Sequence, residues 1–331
     1  MTKKIELGQF FTKKDLWLKP QIQDFINSIE FEKVIDPFAG GGDLLKVFQG
    51  VHEVGGYDID PTLHWPINDG LKSIPAHPND LCITNPPYLN KGTAKRFKRD
   101  GIMHYFQLFP EFDDLYLMGL EQCLKSFSYG IAIVPETYQL NNKKTNRITS
   151  ATILEENPFE DTDFPVVIIT WGPEAQTDYK IYKNDQLLGT FKSLTSLLPE
   201  KQDMEKDLIK FNHINGNLGI ICIDKGDNIG GIRFTDPSEI TGAIKVSSRT
   251  STKVMINAPV DITDLITACN IMLSDYRSKT GDVFMAPFKG NDSKGLRRRR
   301  LDFTTARLII ENSIAKITKK THTIDSLFEN L

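Results

Sequence analysis

Short apolar runs separated by turn residues recur through the first half of the chain. Val34-Ile35, Leu81-Cys82-Ile83, Tyr129 to Val134 and Val166 to Trp171 have the length and β-branched content of strands covered on both faces. Between them, apolar residues three and four apart predict helices. One runs from about Lys14 to Ile29, with Trp17, Ile22, Phe25, Ile26 and Ile29 inward, and another from Asp113 to Phe127, with Leu115, Met118, Leu120 and Leu124 inward. After Pro135-Glu136-Thr137-Tyr138 a further helical stretch is predicted through Leu154. The expected architecture is α/β with a mostly parallel sheet.

From about Gly172 the pattern changes. Tyr179 to Tyr182 and Leu187 to Phe191 alternate around Asn184-Asp185 as a hairpin does, and Leu218 to Ile223 predicts another strand. Helices are expected near 261–277 and 303–317, with no internal repeat. These segments predict a smaller mixed α+β C-terminal domain, so the chain divides as 1–171 and 172–331. A length of 331 residues has room for both.

Composition narrows the setting. At 40% hydrophobic and 25% charged, the sequence is that of a soluble globular protein. No apolar run approaches the ~20 residues of a membrane span, and Met-Thr-Lys-Lys-Ile-Glu lacks a signal peptide's apolar core. A cytoplasmic protein with no membrane partner is expected. Cys82, Cys123, Cys222 and Cys269 form no Cys-x-x-Cys pair, which argues against a zinc site or a disulfide framework and for buried thiols. The net charge of -3 does not announce a nucleic-acid binder, but phosphates meet a local patch and not an average.

The most informative stretch is Asp80-Leu-Cys-Ile-Thr-Asn-Pro-Pro-Tyr88. Pro86 and Pro87 stop the buried strand at Asn85 and fix the main chain beyond it. Asn85 then offers its amide, Pro86 its carbonyl and Tyr88 a ring, a set suited to a planar heterocycle carrying an NH2 group. An ordinary Pro-Pro turn is the plain alternative. Asn85-Pro86-Pro87-Tyr88 resembles the catalytic tetrapeptide of S-adenosylmethionine-dependent amino-methyltransferases, which act on adenine N6 in DNA or RNA or on a glutamine amide.

Upstream residues sharpen this resemblance. Val34 to Asp43 reads as a strand, a glycine-rich turn and a helix start. Its Asp36-Pro37-Phe38-x-Gly40-x-Gly42 is similar to the cofactor loop of those enzymes, and it departs from dinucleotide and phosphate-loop fingerprints. About 20 residues on, Asp58 ends a second strand where a carboxylate can accept both ribose hydroxyls, with Asp60 as the second candidate. By resemblance, Ile59 and Asp69 line the cofactor, and Asp69 holds its adenine amino group. Gly8-Gln9-Phe10-Phe11-Thr12 resembles the motif covering the cofactor in DNA adenine methyltransferases, which would put Phe11 and Thr12 at the methionine part. Lys13 departs from that pattern. The resemblance covers roughly the first 170 residues and implies a Rossmann-like methyltransferase domain.

Cationic segments supply candidates for DNA contact. The basic loop after Tyr88 holds Lys91, Lys95, Arg96, Lys98 and Arg99, and a second holds Lys289, Lys294, Arg297, Arg298, Arg299 and Arg300. Solvated charge clusters are the plain reading of both. The resemblance implies Tyr88, and an aromatic before the last strand, with Phe159 preferred to Phe164, as surfaces for an extruded base. The whole implies a site-specific DNA adenine-N6 methyltransferase that uses S-adenosylmethionine without a metal and reads double-stranded DNA through its C-terminal domain. A restriction endonuclease is its expected functional partner, and an orphan or phage-borne enzyme fits equally. Methylation of RNA adenine or of a glutamine, and a silent DNA-binding subunit, are the alternatives. Glutamine methyltransferases carry their extra domain ahead of the cofactor motif, whereas about 33 residues precede it here.

Overall fold

A computed structural model describes residues 16–140, 146–156, 158, 159, 164–224, 231–242, 248–291 and 297–328. It separates into two compact units, Met1–Lys192 and Ser193–Leu331. The boundary lies beyond the expected 171/172 because the hairpin after Trp171 belongs to the first sheet.

Unit 1 is an α/β, Rossmann-like unit built on an eight-stranded sheet of order β2-β1-β3-β4-β6-β5-β7-β8. The strands are β1 (Lys33–Asp36), β2 (Glu53–Gly56), β3 (His77–Thr84), β4 (Phe127–Pro135), β5 (Ile148–Ile153), β6 (Val166–Trp171), β7 (Lys180–Lys183) and β8 (Gln186–Thr190). The neighbours β2, β1, β3 and β4 run parallel, β6 runs against β4 and β5, and β7 pairs parallel with β5. β2 lies on one side of β1, and β3 with β4 on the other, so the strand order reverses between β1 and β3. A crevice opens outside the carboxyl ends of strands at such a reversal.

The apolar runs form the expected strands. Leu81, Cys82, Ile83, Ile131, Ile168 and Ile169 are buried. α1 (Pro20–Asn27) is shorter than predicted, because Pro20 fixes its first turn while Lys19 stays extended; Trp17 and Ile22 are still fully covered. The helical stretch predicted after Tyr138 through Leu154 is corrected. Glu136–Leu140 is a single 3-10 turn, and Ile148–Ile153 is a strand whose β-branched residues pair with β6. The basic segment after Tyr88 is likewise not a loop. It forms α2 (Lys91–Arg96), capped by Asn90 Oδ1 accepting from Gly92 N at 2.9 Å, and leads into α3 (Asp100–Leu108). α3 and α4 (Leu115–Ser126) enclose a cluster of Leu71, Ala94, Tyr105, Phe106, Leu115 and Met118.

In unit 2, β9 (Ile209–Phe211), β10 (Leu218–Ile221), β11 (Arg233–Thr235) and β12 (Ser251–Ile256) form an antiparallel sheet of order β11-β10-β12-β9. α5 (Ile262–Thr280) packs on α6 (Phe303–Phe328) and joins β11 through Asn270, which accepts from Phe234 N at 2.9 Å and donates to Phe234 O at 2.8 Å. The predicted basic loop over 289–300 contains two paired strands, β13 (Ala286–Asn291) and β14 (Arg297–Arg300). The four cysteines are buried free thiols, and no helix among the described residues is long and apolar enough to cross a membrane.

One close approach sets a steric limit on the central sheet. A Cβ on Gly130 would lie 2.0 Å from the Trp171 ring, which covers the glycine from the adjacent strand. Gly130→Ala must displace a fully buried indole, so a loss at or above the ~1–3 kcal/mol of ordinary overpacking is expected. Thermal denaturation measures it, and an unchanged Tm would show that Trp171 moves aside freely.

Candidate functional site

The crevice at the strand reversal is lined by Phe38, Asp58, Ile59, Asn68, Asp69, Gly70, Leu71, Asn85, Pro87, Ile102, Tyr105 and Leu115 and holds about 640 Å³ of open space, part of it continuous with solvent. Residues singled out from four separate stretches of sequence therefore meet in one cleft.

Two buried carboxylates fasten the turns that border it, and of these Asp58 lines the cleft. Asp36, ending β1, accepts at Oδ1 from Phe38 N and from the Thr84 hydroxyl, both at 2.9 Å, and so ties the glycine turn to the end of β3. Asp58 accepts from Gly40 N at 2.8 Å and from Asp60 N at 2.9 Å, fastening the same turn to the end of β2. Each Asp58 oxygen keeps a lone pair for another donor. Asp60 caps its own turn through Thr62 N and Oγ1 and is not among the cleft residues. Gly40 and Gly42 adopt φ of +50° and +77°, and a Cβ on Gly42 would meet the Trp65 ring at 3.0 Å. Trp65 closes the turn by donating its indole N–H to Gly40 O at 2.9 Å. The helix expected to open near Asp43 is a 3-10 turn, Leu44–Val47.

On the opposite wall, Ile59 is 48% exposed, and Asp69 accepts from the Tyr105 hydroxyl at 2.9 Å and pairs with Lys72 at 3.1 Å. Tyr105 and Ile102 on α3 and Leu115 on α4 were not anticipated. Their signal was helical periodicity, which marks a core position and a cleft wall alike.

Asn85 stands at the cleft where β3 ends, half-buried, with Pro86 buried behind it. Tyr88 is only 6% exposed, and its hydroxyl donates to Asn85 Oδ1 and, at 2.7 Å, to the Ile133 carbonyl of β4. Burial pushes its phenol well above the usual range, so it stays a donor. The expectation of an open stacking face at Tyr88 is therefore corrected for this conformation: the ring is packed and its hydroxyl orients Asn85. The segment that follows is pinned as well. Leu89 N donates to Asp114 Oδ1 at 3.1 Å, and Lys91 N donates to Asp113 O at 2.8 Å. Burial raises the Asp114 carboxyl to about 6, against the main-chain N–H groups of Tyr116, Leu89 and Leu115 that lower it.

The second aromatic expectation changes too. Phe159 is 1% exposed, a core residue, whereas Phe164 is 36% exposed with its ring 5.6 Å from that of Tyr88. Of the cations after Tyr88, Lys95, Arg96 and Lys98 are exposed, while Arg99 is half-buried and Lys91 lies over the Phe106 ring at 5.9 Å. Phe97, unremarked in the sequence, is 58% exposed beneath the Arg96 guanidinium at 4.7 Å. In unit 2 the arginine run is not uniformly solvated. Arg299 is buried, its main-chain N–H donating to Asp224, and Arg298 stacks on Phe288 at 4.8 Å and donates to Asp224 O at 2.9 Å. Arg277 holds that Asp224 at 3.1 Å. Pairing in a strand with alternating faces takes Arg299 away from solvent. Arg300 is half-buried. Phe11, Thr12 and Lys294, and the side chains of Lys289 and Arg297, lie outside the described residues.

No protein-family model matches this sequence, and none of the curated proteins does. Solved structures share part of the fold. They include a candidate class I S-adenosylmethionine-dependent methyltransferase from Listeria monocytogenes, at 16% identity and TM-score 0.37 over 50% of this chain and 62% of that one. A type I restriction-modification methyltransferase subunit from Streptococcus thermophilus matches at 15% identity and TM-score 0.38, over 61% and 51%. The type IIG restriction endonuclease BpuSI matches at 15% and 0.38, over 54% and 28%. The chain thus spans less than two thirds of each of these proteins, and so distant a likeness carries no argument about its chemistry.

The buried carboxylate of Asp36 yields a pH prediction. Desolvation raises it to about 7, outweighing the donors Phe38 N and Thr84, and nearby Asp58 adds to the rise. Its unfolded value is about 3.9. The folded state therefore holds this proton more tightly, and the stability it contributes, full below about pH 4, is lost as pH rises through about 7. Asp36→Asn keeps an oxygen for both donors and removes the charge, so its Tm should fall less than that of the wild type between pH 4 and 8. Parallel Tm curves would refute the assignment.

Proposed function

We propose, first, that the unit 1 cleft binds S-adenosylmethionine and that the chain is a methyltransferase. The residues fit that cofactor. Asp58 has acceptor capacity left for ribose hydroxyls, Ile59 gives a ring an apolar face, Asp69 offers an acceptor to an amino group, and the positive-φ glycines bring main chain close. Bound there, the cofactor supplies a methyl group on a cationic sulfur.

More narrowly, we infer that the acceptor is adenine N6 of a base flipped from double-stranded DNA, at a specific sequence, in a system of the restriction-modification type. One observation carries this reading: Asn85, at the head of a Pro-Pro turn, faces the same cleft as Asp58 and Asp69. Adenine N6 shares its lone pair with the ring. Asn85 Oδ1 and the Pro86 carbonyl, each accepting one of its hydrogens, let the nitrogen pyramidalise toward the methyl. The Tyr88 hydroxyl, bonded to Oδ1, fixes the Asn85 side chain at the cleft. Flipping costs a few kcal/mol. Phe164 offers the exposed face that offsets part of it, and Lys95, Arg96 and Lys98 meet the backbone. Unit 2 reads the sequence.

The test is incubation of the chain with labelled cofactor and duplex DNA, RNA or protein, followed by mapping of the label. Label at adenine N6 in one DNA context is expected; label confined to RNA or polypeptide would overturn the narrower reading. Asn85→Ala should slow transfer by about 100-fold or more, the scale of losing one preorganised polar contact, with cofactor affinity kept. Equal rates would reject the mechanism. Phe164→Ala should lower kcat/KM for DNA by about 1–3 kcal/mol with Tm unchanged, the range for one base–aromatic stack. Phe159→Ala should instead cost about 3–5 kcal/mol of stability as a core truncation. Kinetics and denaturation of both variants separate the two phenylalanines, and a neutral Phe164→Ala would remove it from the site.

A further inference from the structure

A second concavity lies within unit 2, lined by Arg249, Arg300, Leu301, Asp302 and Phe303 around about 470 Å³ of open space. Its two arginines come from distant sequence and are brought together by one residue. Cys222 N donates to Thr250 O at 2.9 Å, and Leu301 N donates to Cys222 O at 2.8 Å. Arg249 and Arg300, the residues preceding those two partners, are thereby brought to the same backbone segment and line one concavity.

Their charges are not spent within the unit. Arg249 is exposed, and among the described residues neither arginine forms an ion pair or a side-chain hydrogen bond. The Nε of Arg300 is buried without an acceptor. An N–H left so costs free energy until some group supplies a lone pair. Asp302 does not fill that role: its oxygens accept from Thr305 N at 3.0 Å and from the Thr305 hydroxyl at 2.8 Å at the start of α6, and neither accepts from Arg300 Nε.

Two guanidinium groups beside a small concavity suit a ligand with several acceptor oxygens on one centre, which describes a phosphate. We propose that Arg249 and Arg300 clamp a single backbone phosphate of the DNA substrate, one nonbridging oxygen to each. This rests on the reading of the chain as a DNA methyltransferase and adds to it a residue, Arg249, outside the arginine run. It also divides that run by role. Arg298 and Arg299 hold the strand through Asp224, and Arg300 faces the ligand.

The experiment uses the full chain and measures duplex binding against salt for the wild type, Arg249→Ala, Arg300→Gln and the double variant. Arg300→Gln keeps part of the aliphatic stem but removes the charge and the fork, and Tm confirms folding of each variant. Each single change should flatten the log-log slope, and the double change should flatten it by about 0.9 in total, the value for one phosphate. A duplex carrying one neutral methylphosphonate at the clamped position should weaken wild-type binding several-fold and leave the double variant unaffected. Unchanged slopes, or a double loss near twice 0.9, would overturn the clamp while methyl transfer to DNA continues. If the wild-type chain shows neither transfer to DNA nor salt-dependent binding, the functional reading and the clamp fall together.

Discussion

The cleft depends on a carboxylate that has been taken out of water. Asp36 sits 2% exposed at the end of β1, and its Oδ1 accepts from the turn beside it and from Thr84 on the neighbouring strand. Those bonds join the two lips of the opening where the strand order reverses, so the glycine turn and the Asn85 turn keep a fixed spacing. Asp58 makes the equivalent tie from β2. Removing an ion from water is costly unless donors replace the lost hydration. That cost explains why both carboxylates bind main-chain N–H groups and why burial dominates the rise at Asp36.

On the β3 side, rigidity has another origin. Two prolines restrict the backbone after Asn85, and the Tyr88 hydroxyl bridges Asn85 to the β4 main chain. The Asn85 side chain is thus held by the rigid turn that follows it and by the sheet. Acceptors fixed in advance need no reorganisation when charge develops, which is the condition for strong electrostatic assistance.

Much of this was legible in the residues. Val166–Trp171, Leu115–Ser126 and the hairpin at Asn184 follow from β-branched runs, helical spacing and a turn-forming asparagine at φ 53°. The meeting of Asp58, Asp69 and Asn85 in one cleft was expected from the resemblance that their stretches, in that order, bear to amino-methyltransferases. Other features depended on tertiary neighbours. Ile148–Ile153 became a strand only because β6 and β7 lie on either side of it, and a local window cannot see those partners. Phe159 and Phe164 differ in exposure and not in type, so choosing between them required coordinates. The arginine run misled for the same reason, since side chains that read as one cationic patch are sorted by strand pairing into structural and open members.

Trp65 has a further consequence. Its indole is bonded to the carbonyl of Gly40 and packs against Gly42, and the chain's three tryptophans, Trp17, Trp65 and Trp171, all fall before residue 193. Trp17 and Trp171 are sealed in the core, whereas Trp65 is half-buried beside the glycine turn. Tryptophan emission of this protein therefore originates in unit 1 alone. Any occupant that shifts the turn changes the emission of a dye the chain already carries.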